Sequence, residues 1–199
     1  MEIKQFFGIF LAFLALVNPL QKLLVIITLK EAYGKKEINK IVNRSNRTAL
    51  EVLIIFLFAG ELILSYVFNL QTYAFQATCG LVLLYNGFMG LQKGALVSIN
   101  TTIKAEDIIA VPIAVPMIAG PATITAAVTM PAIYGKWIAA AAIVLAIAVN
   151  WLIMRYSYPV AKVLAKYNIL MPLIRIVGLI VAAIGTQMIF NAIKTFIAS

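Results

Sequence analysis

The run Val111-Pro112-Ile113-Ala114-Val115-Pro116-Met117-Ile118-Ala119-Gly120-Pro121-Ala122-Thr123-Ile124-Thr125 places three prolines within ten residues of an otherwise apolar stretch. A shorter cluster, Asn18-Pro19-Leu20-Gln21-Lys22, interrupts another apolar stretch near the start of the chain. Proline inside a helix removes a backbone donor and clashes with the preceding turn, and in hydrocarbon the freed carbonyls find no water. Both runs therefore predict a broken or re-entrant helix whose break faces protein or a wet cavity. Proline is favoured at the first helical position and Asn or Gly at the N-cap before it, so Asn18-Pro19 and Gly120-Pro121 read as the starts of half-helices. Free N–H groups and the positive dipole end at such a start attract an anion, most simply a carboxylate. A pair of proline kinks packed against neighbours, with no ligand, is the plainer alternative.

Composition sets the surroundings of these breaks. The chain has 199 residues, of which 63% are hydrophobic and 12% charged, well above the roughly 45–50% apolar share of soluble proteins. A spanning helix takes about 20 residues. The apolar runs predict spans near Phe6 to Leu29, Ala49 to Leu70, Ala74 to Gln92, Ile108 to Met130, Trp137 to Met154 and Pro172 to Ile197. The first run is too long for a signal peptide and lacks an Ala-x-Ala cleavage site. Histidine is absent and cysteine occurs once, which excludes His- or Cys-based metal sites, a Cys-His nucleophile and an internal disulfide. No cofactor is expected, and no nucleophile-base pair for an intramembrane enzyme can be assembled. The net charge of +9 reads as loops facing an anionic cytoplasmic leaflet rather than as a nucleic-acid surface. The loops after the first, third and fifth spans hold eleven Lys and Arg, against Lys4, Lys136 and Lys194 on the opposite side. The positive-inside rule then puts both termini outside the cytoplasmic membrane.

Sliding the chain against itself aligns Asn18-Pro19 with Gly120-Pro121, and Gly80-Leu81 with Gly87 against Gly178-Leu179 with Gly185. Three spans per copy would invert the second copy relative to the first, the plan of many secondary transporters. The expected fold is an all-α polytopic membrane protein of six transmembrane helices in two inverted three-helix repeats, helices 1 and 4 being broken at these sites. It forms a single domain over 1–199, with repeat 1 about 1–92, a cytoplasmic connection about 93–107 and repeat 2 about 108–199. The two half-helix starts would meet near the midplane and leave room for a small zwitterion or acid.

A charge at the bilayer centre costs about 3 kcal/mol on insertion scales, so Lys22 and Glu61 call for a partner or a cavity. They could pair as a structural bridge or form part of a proton relay. Glu61, Ser65 and Asn69 recur every four residues and predict a polar stripe facing the bundle. Asn86, Asn150, Gln187 and Asn191 read as interhelical glue. Arg175 reads as a snorkelling anchor, and the glycines of the third and sixth spans as close-packing seams. Cys79 reads as a small packing residue.

The Val111 to Thr125 run, the Asn18-Pro19-Leu20 break and the Arg175 to Gln187 stretch together resemble the MarC family of prokaryotic inner-membrane proteins, over nearly the whole chain. The resemblance implies six spans, kinship with the lysine-exporter superfamily, and transport of small neutral amino acids such as glycine and alanine, coupled to protons. The chain departs from the family pattern at Gln21, Lys22, Leu24, Ala122 and Gln76. On this reading the substrate-binding residues are Asn18, Pro19, Leu20, Gln21, Ala119, Gly120, Pro121, Ala122, Thr123 and Thr125, the carboxylate sitting at the half-helix starts of Pro19 and Pro121 on backbone N–H groups and on Asn18, Thr123 or Thr125, with Ala114 helping to keep the pocket small and Lys22 and Glu61 in coupling or ion pairing. The expected partners are a small neutral amino acid, a proton and membrane lipid, with no nucleic acid; a homo-oligomer stays open. A non-transporting membrane scaffold and an exporter or channel for another small solute are the rival readings. Absence of ligand-dependent stabilisation together with a stable pull-down partner would favour the scaffold.

Overall fold

A computed structural model describes residues 3–93, 115, 117–166 and 169–198. Over these residues the chain is helical, with no strand. Its elements are α1 (Ile3–Val17), α2 (Pro19–Leu62) running into a π-helical turn (Ile63–Val67), α3 (Thr72–Lys93), α4 (Pro121–Tyr134), α5 (Lys136–Arg155), α6 (Ser157–Lys166) and α7 (Leu170–Ala198). Among the described residues five segments are long and apolar enough to cross a membrane: Gln5–Leu23, Gly34–Val67, Thr72–Gln92, Lys136–Arg155 and Pro172–Ala198. Much of the expected fourth span, residues 108–114 and 116, and of the expected connection, residues 94–107, lies outside the described residues.

The stretch expected as the first cytoplasmic loop is helical. Only Gly34, at φ 72° and ψ 167°, departs from helix between Pro19 and Leu62. The basic residues that suggested a loop sit on an amphipathic helix whose buried face carries Ile38, Ile41, Val42, Ser45, Asn46 and Ala49. Its exposed face carries the pairs Glu37–Lys40 and Arg47–Glu51, at 2.8 and 2.9 Å. The apolar segment from Gly34 to Val67 has 34 residues, about 51 Å at 1.5 Å per residue. That exceeds a hydrocarbon core of about 30 Å, so part of the segment must project beyond it or tilt.

Gly135, between α4 and α5, repeats the Gly34 conformation at φ 89° and ψ 146°. Both glycines stand in the same tripeptide, Tyr33-Gly34-Lys35 and Tyr134-Gly135-Lys136. Both close a short helix that opens on a proline, Pro19 in one case and Pro121 in the other. A side chain at such positive φ is strained, which is why glycine occupies each corner.

Helices α1, α2, α4 and α5 share one apolar core, in which Phe13, Ile26, Leu29, Ile41, Ile143 and Met154 are almost fully buried. A polar crosslink ties α2 to α5 inside it. Asn150 Nδ2 donates to Asn46 Oδ1 at 2.7 Å, and Asn46 Nδ2 donates to the Val42 carbonyl at 2.8 Å. Trp151 Nε1 donates to Asn43 Oδ1 at 2.7 Å. Asn150 thus does the work of interhelical glue expected of it.

Helices α3 and α7 pack chiefly on each other, in antiparallel sense, along the glycine seam. A Cβ added at Gly80 would meet the Gly185 carbonyl oxygen at 2.8 Å, and one at Gly87 would meet the Gly178 carbonyl oxygen at 2.6 Å. The reciprocal contacts, Gly185 on Gly80 and Gly178 on Gly87, are 2.6 and 3.0 Å. This pair joins the core through a small apolar cluster of Leu83, Ala122 and Val181, with Leu16 packed against it.

The stripe of Glu61, Ser65 and Asn69 does not face the bundle. All three are exposed. The buried seam of this part of α2 and its π-turn is Leu53, Leu57, Gly60 and Leu64, and Gly60 abuts Val128 of α4. Glu61 and Ser65 each lie one residue, about 100° of helix rotation, off that seam.

Candidate functional site: a cavity between two helix breaks

Both proline breaks are real interruptions, and each is bridged in its own way. Asn18 adopts the left-handed conformation, φ 51° and ψ 69°, which Asn tolerates better than most residues. Its Oδ1 accepts from the Gln21 amide at 3.4 Å, so the first turn of α2 gains a cap while Pro19 occupies the position where no N–H is needed. In an unbroken helix the Gln21 amide would bond the Val17 carbonyl. That carbonyl instead accepts from Lys22 Nζ. Lys22 is only 2% exposed, and its ammonium closes the break that its own helix opens.

At the second break Gly120 is extended, φ −81° and ψ 170°, with no side chain to cap α4. Thr123 Oγ1 donates back across the break to the Ile118 carbonyl at 3.2 Å. Each break is thus bridged by a side chain reaching back five residues. Thr125 Oγ1 donates to the Pro121 carbonyl at 2.9 Å, within its own helix.

The two breaks face one cavity of about 410 Å³. Asn18, Gln21 and Lys22 form one side and Gly120, Pro121, Ala122 and Thr123 the other, while α3 adds Val82, Leu83 and Asn86 and α7 adds Val181. The volume falls within the roughly 300–1,000 Å³ of small-molecule sites. Two helix starts and a buried lysine give the wall a positive character. A lysine ammonium has three donors, and the structure assigns one of them to the Val17 carbonyl.

Several expected residues lie elsewhere. Pro19 and Leu20 line a separate apolar groove with Leu11, Leu14 and Val177, because the first turn of α2 carries them around to the opposite side from Gln21 and Lys22. Ala119 is fully buried in the core. Thr125 lines a different cavity, one turn further along α4. Ala114 lies outside the described residues. Lys22 and Glu61 form no ion pair: the lysine is turned into the break, and Glu61 is exposed on the far side of its helix.

Asn86 is the residue that reading the sequence for glue misplaces, since it lines the cavity. Its spacing from Val82 and Leu83, four and three residues, puts it on the same face of α3 as those two. Gln187 and Asn191 also fail as interhelical glue, because Gln187 Nε2 donates to Asn191 Oδ1 along one helix at 2.9 Å. Arg175 is exposed near the start of α7, where an anchor belongs.

Comparison with known proteins places the chain among integral membrane proteins. The profile of the MarC family integral membrane proteins matches residues 3–197. The UPF0056 membrane protein PH0214 of Pyrococcus horikoshii is 32% identical over 189 residues, covering 95% of this chain and 93% of its own. The UPF0056 membrane protein MJ1677 of Methanocaldococcus jannaschii is 30% identical over 203 residues, covering 98% of each. The UPF0056 membrane protein YhcE of Escherichia coli is 27% identical, covering 97% of this chain and 94% of its own. No solved structure matches the chain. With its two proline-broken helices and its multiple apolar spans, the chain belongs to the MarC family of integral membrane proteins.

Proposed function

We propose that this protein is a secondary transporter of a small neutral amino acid of the glycine or alanine type across the cytoplasmic membrane, with the substrate carboxylate held between the two breaks. One observation carries the reading: residues a hundred positions apart, Asn18 to Lys22 and Gly120 to Thr123, wall a single cavity of about 410 Å³. Backbone N–H groups at both helix starts, the Asn18 amide and the Lys22 ammonium are the donors for a carboxylate. The Ala122 methyl and the absent side chain of Gly120 leave the wall open beside the second helix start.

The inverted-repeat plan supports the same reading. The Pro-to-Gly helices from Pro19 and from Pro121, the matching Tyr-Gly-Lys corners and the glycine pairs Gly80 with Gly87 and Gly178 with Gly185 recur at nearly constant offset, and the two glycine pairs pack on each other in antiparallel sense. Such symmetry is common in carriers that expose a midplane site to each side in turn. In this reading the basic start of the second segment is cytoplasmic and both termini lie outside.

A second reading has a specific basis. A buried cation beside two positive helix ends favours a net anion, so an exporter of a small monocarboxylate would use the same cavity. Exchange in proteoliposomes tests both: vesicles loaded with unlabelled glycine should take up labelled glycine, with alanine competing and leucine, lysine and glutamate not. Gly120→Leu should fill the cavity and abolish exchange in folded protein. Normal exchange by that variant would remove the site. No glycine exchange, with saturable exchange of acetate or lactate, would decide for the monocarboxylate.

A further inference from the structure

A second cavity, of about 280 Å³, lies beside the first. Its polar lining comes from three helices: Gln76 of α3, Thr125 and Thr129 of α4, and Gln187 and Asn191 of α7. Among the described residues no lysine, arginine, aspartate or glutamate lines it. Leu16 of α1 belongs to the walls of both cavities.

The position of this cavity follows from the helix register. Because Gly80 packs on Gly185 and Gly87 on Gly178, the start of α3 lies beside the end of α7. Gln76 is four residues into α3, about 6 Å from its end, whereas Leu83 is eleven residues in, about 17 Å. The second cavity therefore sits between the midplane cavity and the face that holds Thr72 and Ala198. Gln187 and Asn191 are exposed, Gln76 and Thr129 are half-buried, and Thr125 is 1% exposed.

Uncharged amides and hydroxyls in a spanning region are costly when they face lipid, and here they converge on one space. The hydroxyls of Thr125 and Thr129 donate to carbonyls of their own helix, Pro121 and Thr125, which leaves each oxygen able to accept. The Gln76 side chain makes no hydrogen bond among the described residues. The wall can thus donate and accept without favouring either charge.

We propose that this cavity is the entry vestibule through which a small polar solute reaches the midplane cavity from the face bearing the chain termini, and that Leu16 is the partition between the two. The inference rests on the midplane cavity being a solute site, but its test needs no solute. In a Cys79→Ala background, Thr129→Cys reports the vestibule and Asn86→Cys the midplane cavity. The probe is membrane-impermeant sulfonatoethyl methanethiosulfonate, added to right-side-out and to inverted vesicles, with a protease-cleavable C-terminal tag reporting which face is outward.

From the termini-bearing face Thr129→Cys should react at a rate indifferent to Leu16. Asn86→Cys should react several-fold faster with Leu16→Ala and several-fold slower with Leu16→Trp, from that same face. The Thr129→Cys rate also reports that each Leu16 variant is folded. Equal Asn86→Cys rates in all three Leu16 backgrounds overturn the proposal, as does an inert Thr129→Cys or labelling of Asn86→Cys from the opposite face alone. Failure of glycine exchange with the Leu16 dependence intact would count against the amino acid and not against the vestibule.

Discussion

Gly87→Ala tests the contact on which the α3–α7 pair depends. The added Cβ would lie 2.4 Å from the Ala182 nitrogen, 2.6 Å from the Gly178 oxygen and 2.7 Å from Ala182 Cα. Favourable contacts between heavy atoms fall near 3.5–4.0 Å, so the helices must part or tilt by about 1 Å. All three neighbours are backbone, and no rotamer change relieves them. Overpacking costs about 1–3 kcal/mol, and the lack of a side chain able to yield places this case near 3 kcal/mol. In a chain of this size each kcal/mol moves the melting midpoint by about 2–4 °C, so the fall should be roughly 6–12 °C. The fluorescence of Trp137 and Trp151 followed on heating in detergent gives the readout. Gly8→Ala is the control, because nothing lies within 4 Å of its added Cβ and alanine is the better helix former by up to about 1 kcal/mol. Its midpoint should hold or rise. A Gly87→Ala protein melting within about 2 °C of the parent would refute the seam as the determinant of how these helices pack.

Three further outcomes follow from other sites. Gly34→Ala and Gly135→Ala should each destabilise by about 1–3 kcal/mol, since both hold positive φ; a melt in which either variant equals the parent would remove the corner it is thought to make. Asn150→Leu strands the buried Asn46 oxygen and should cost about 1–3 kcal/mol, while Asn46→Leu with Asn150→Leu should recover most of the loss; additive losses in that double-mutant cycle would show that the crosslink is not a unit. Glu61→Gln should leave solute exchange and accumulation at parental levels, because Glu61 is exposed and lines neither cavity; a loss of accumulation with exchange retained would assign it to coupling after all.

The breaks were legible in the sequence because proline after Asn or Gly has a local cause and a local result. Pro19 and Pro121 need no knowledge of neighbours to end one helix and begin another. The glycine spacing of seven in α3 and α7 likewise carried its meaning, although only the fold shows that the two sets meet each other. What stayed hidden depends on rotation and on partners. The basic stretch after Lys30 reads as a loop by charge, yet its apolar residues at Ile38, Ile41, Val42 and Ala49 follow helical spacing, and a single glycine suffices as its corner. The Tyr-Gly-Lys tripeptide was visible twice in the chain, but its force as a repeat marker comes from the positive φ at both glycines. Glu61 misled because a four-residue stripe fixes a helix face without saying which way that face points. Asn86 misled because a buried amide serves packing and ligand binding equally well until its neighbours are known.

The unequal construction of the two helix groups has a mechanical sense. In the α3–α7 pair backbone touches backbone through glycine, and in the four-helix core large side chains interlock; neither leaves slack for sliding. Leu83, Ala122 and Val181, with Leu16 packed on them, join the two, and the same side chains line the 410 Å³ cavity. A shear of one body against the other would therefore be felt at the cavity wall, by whatever the cavity holds.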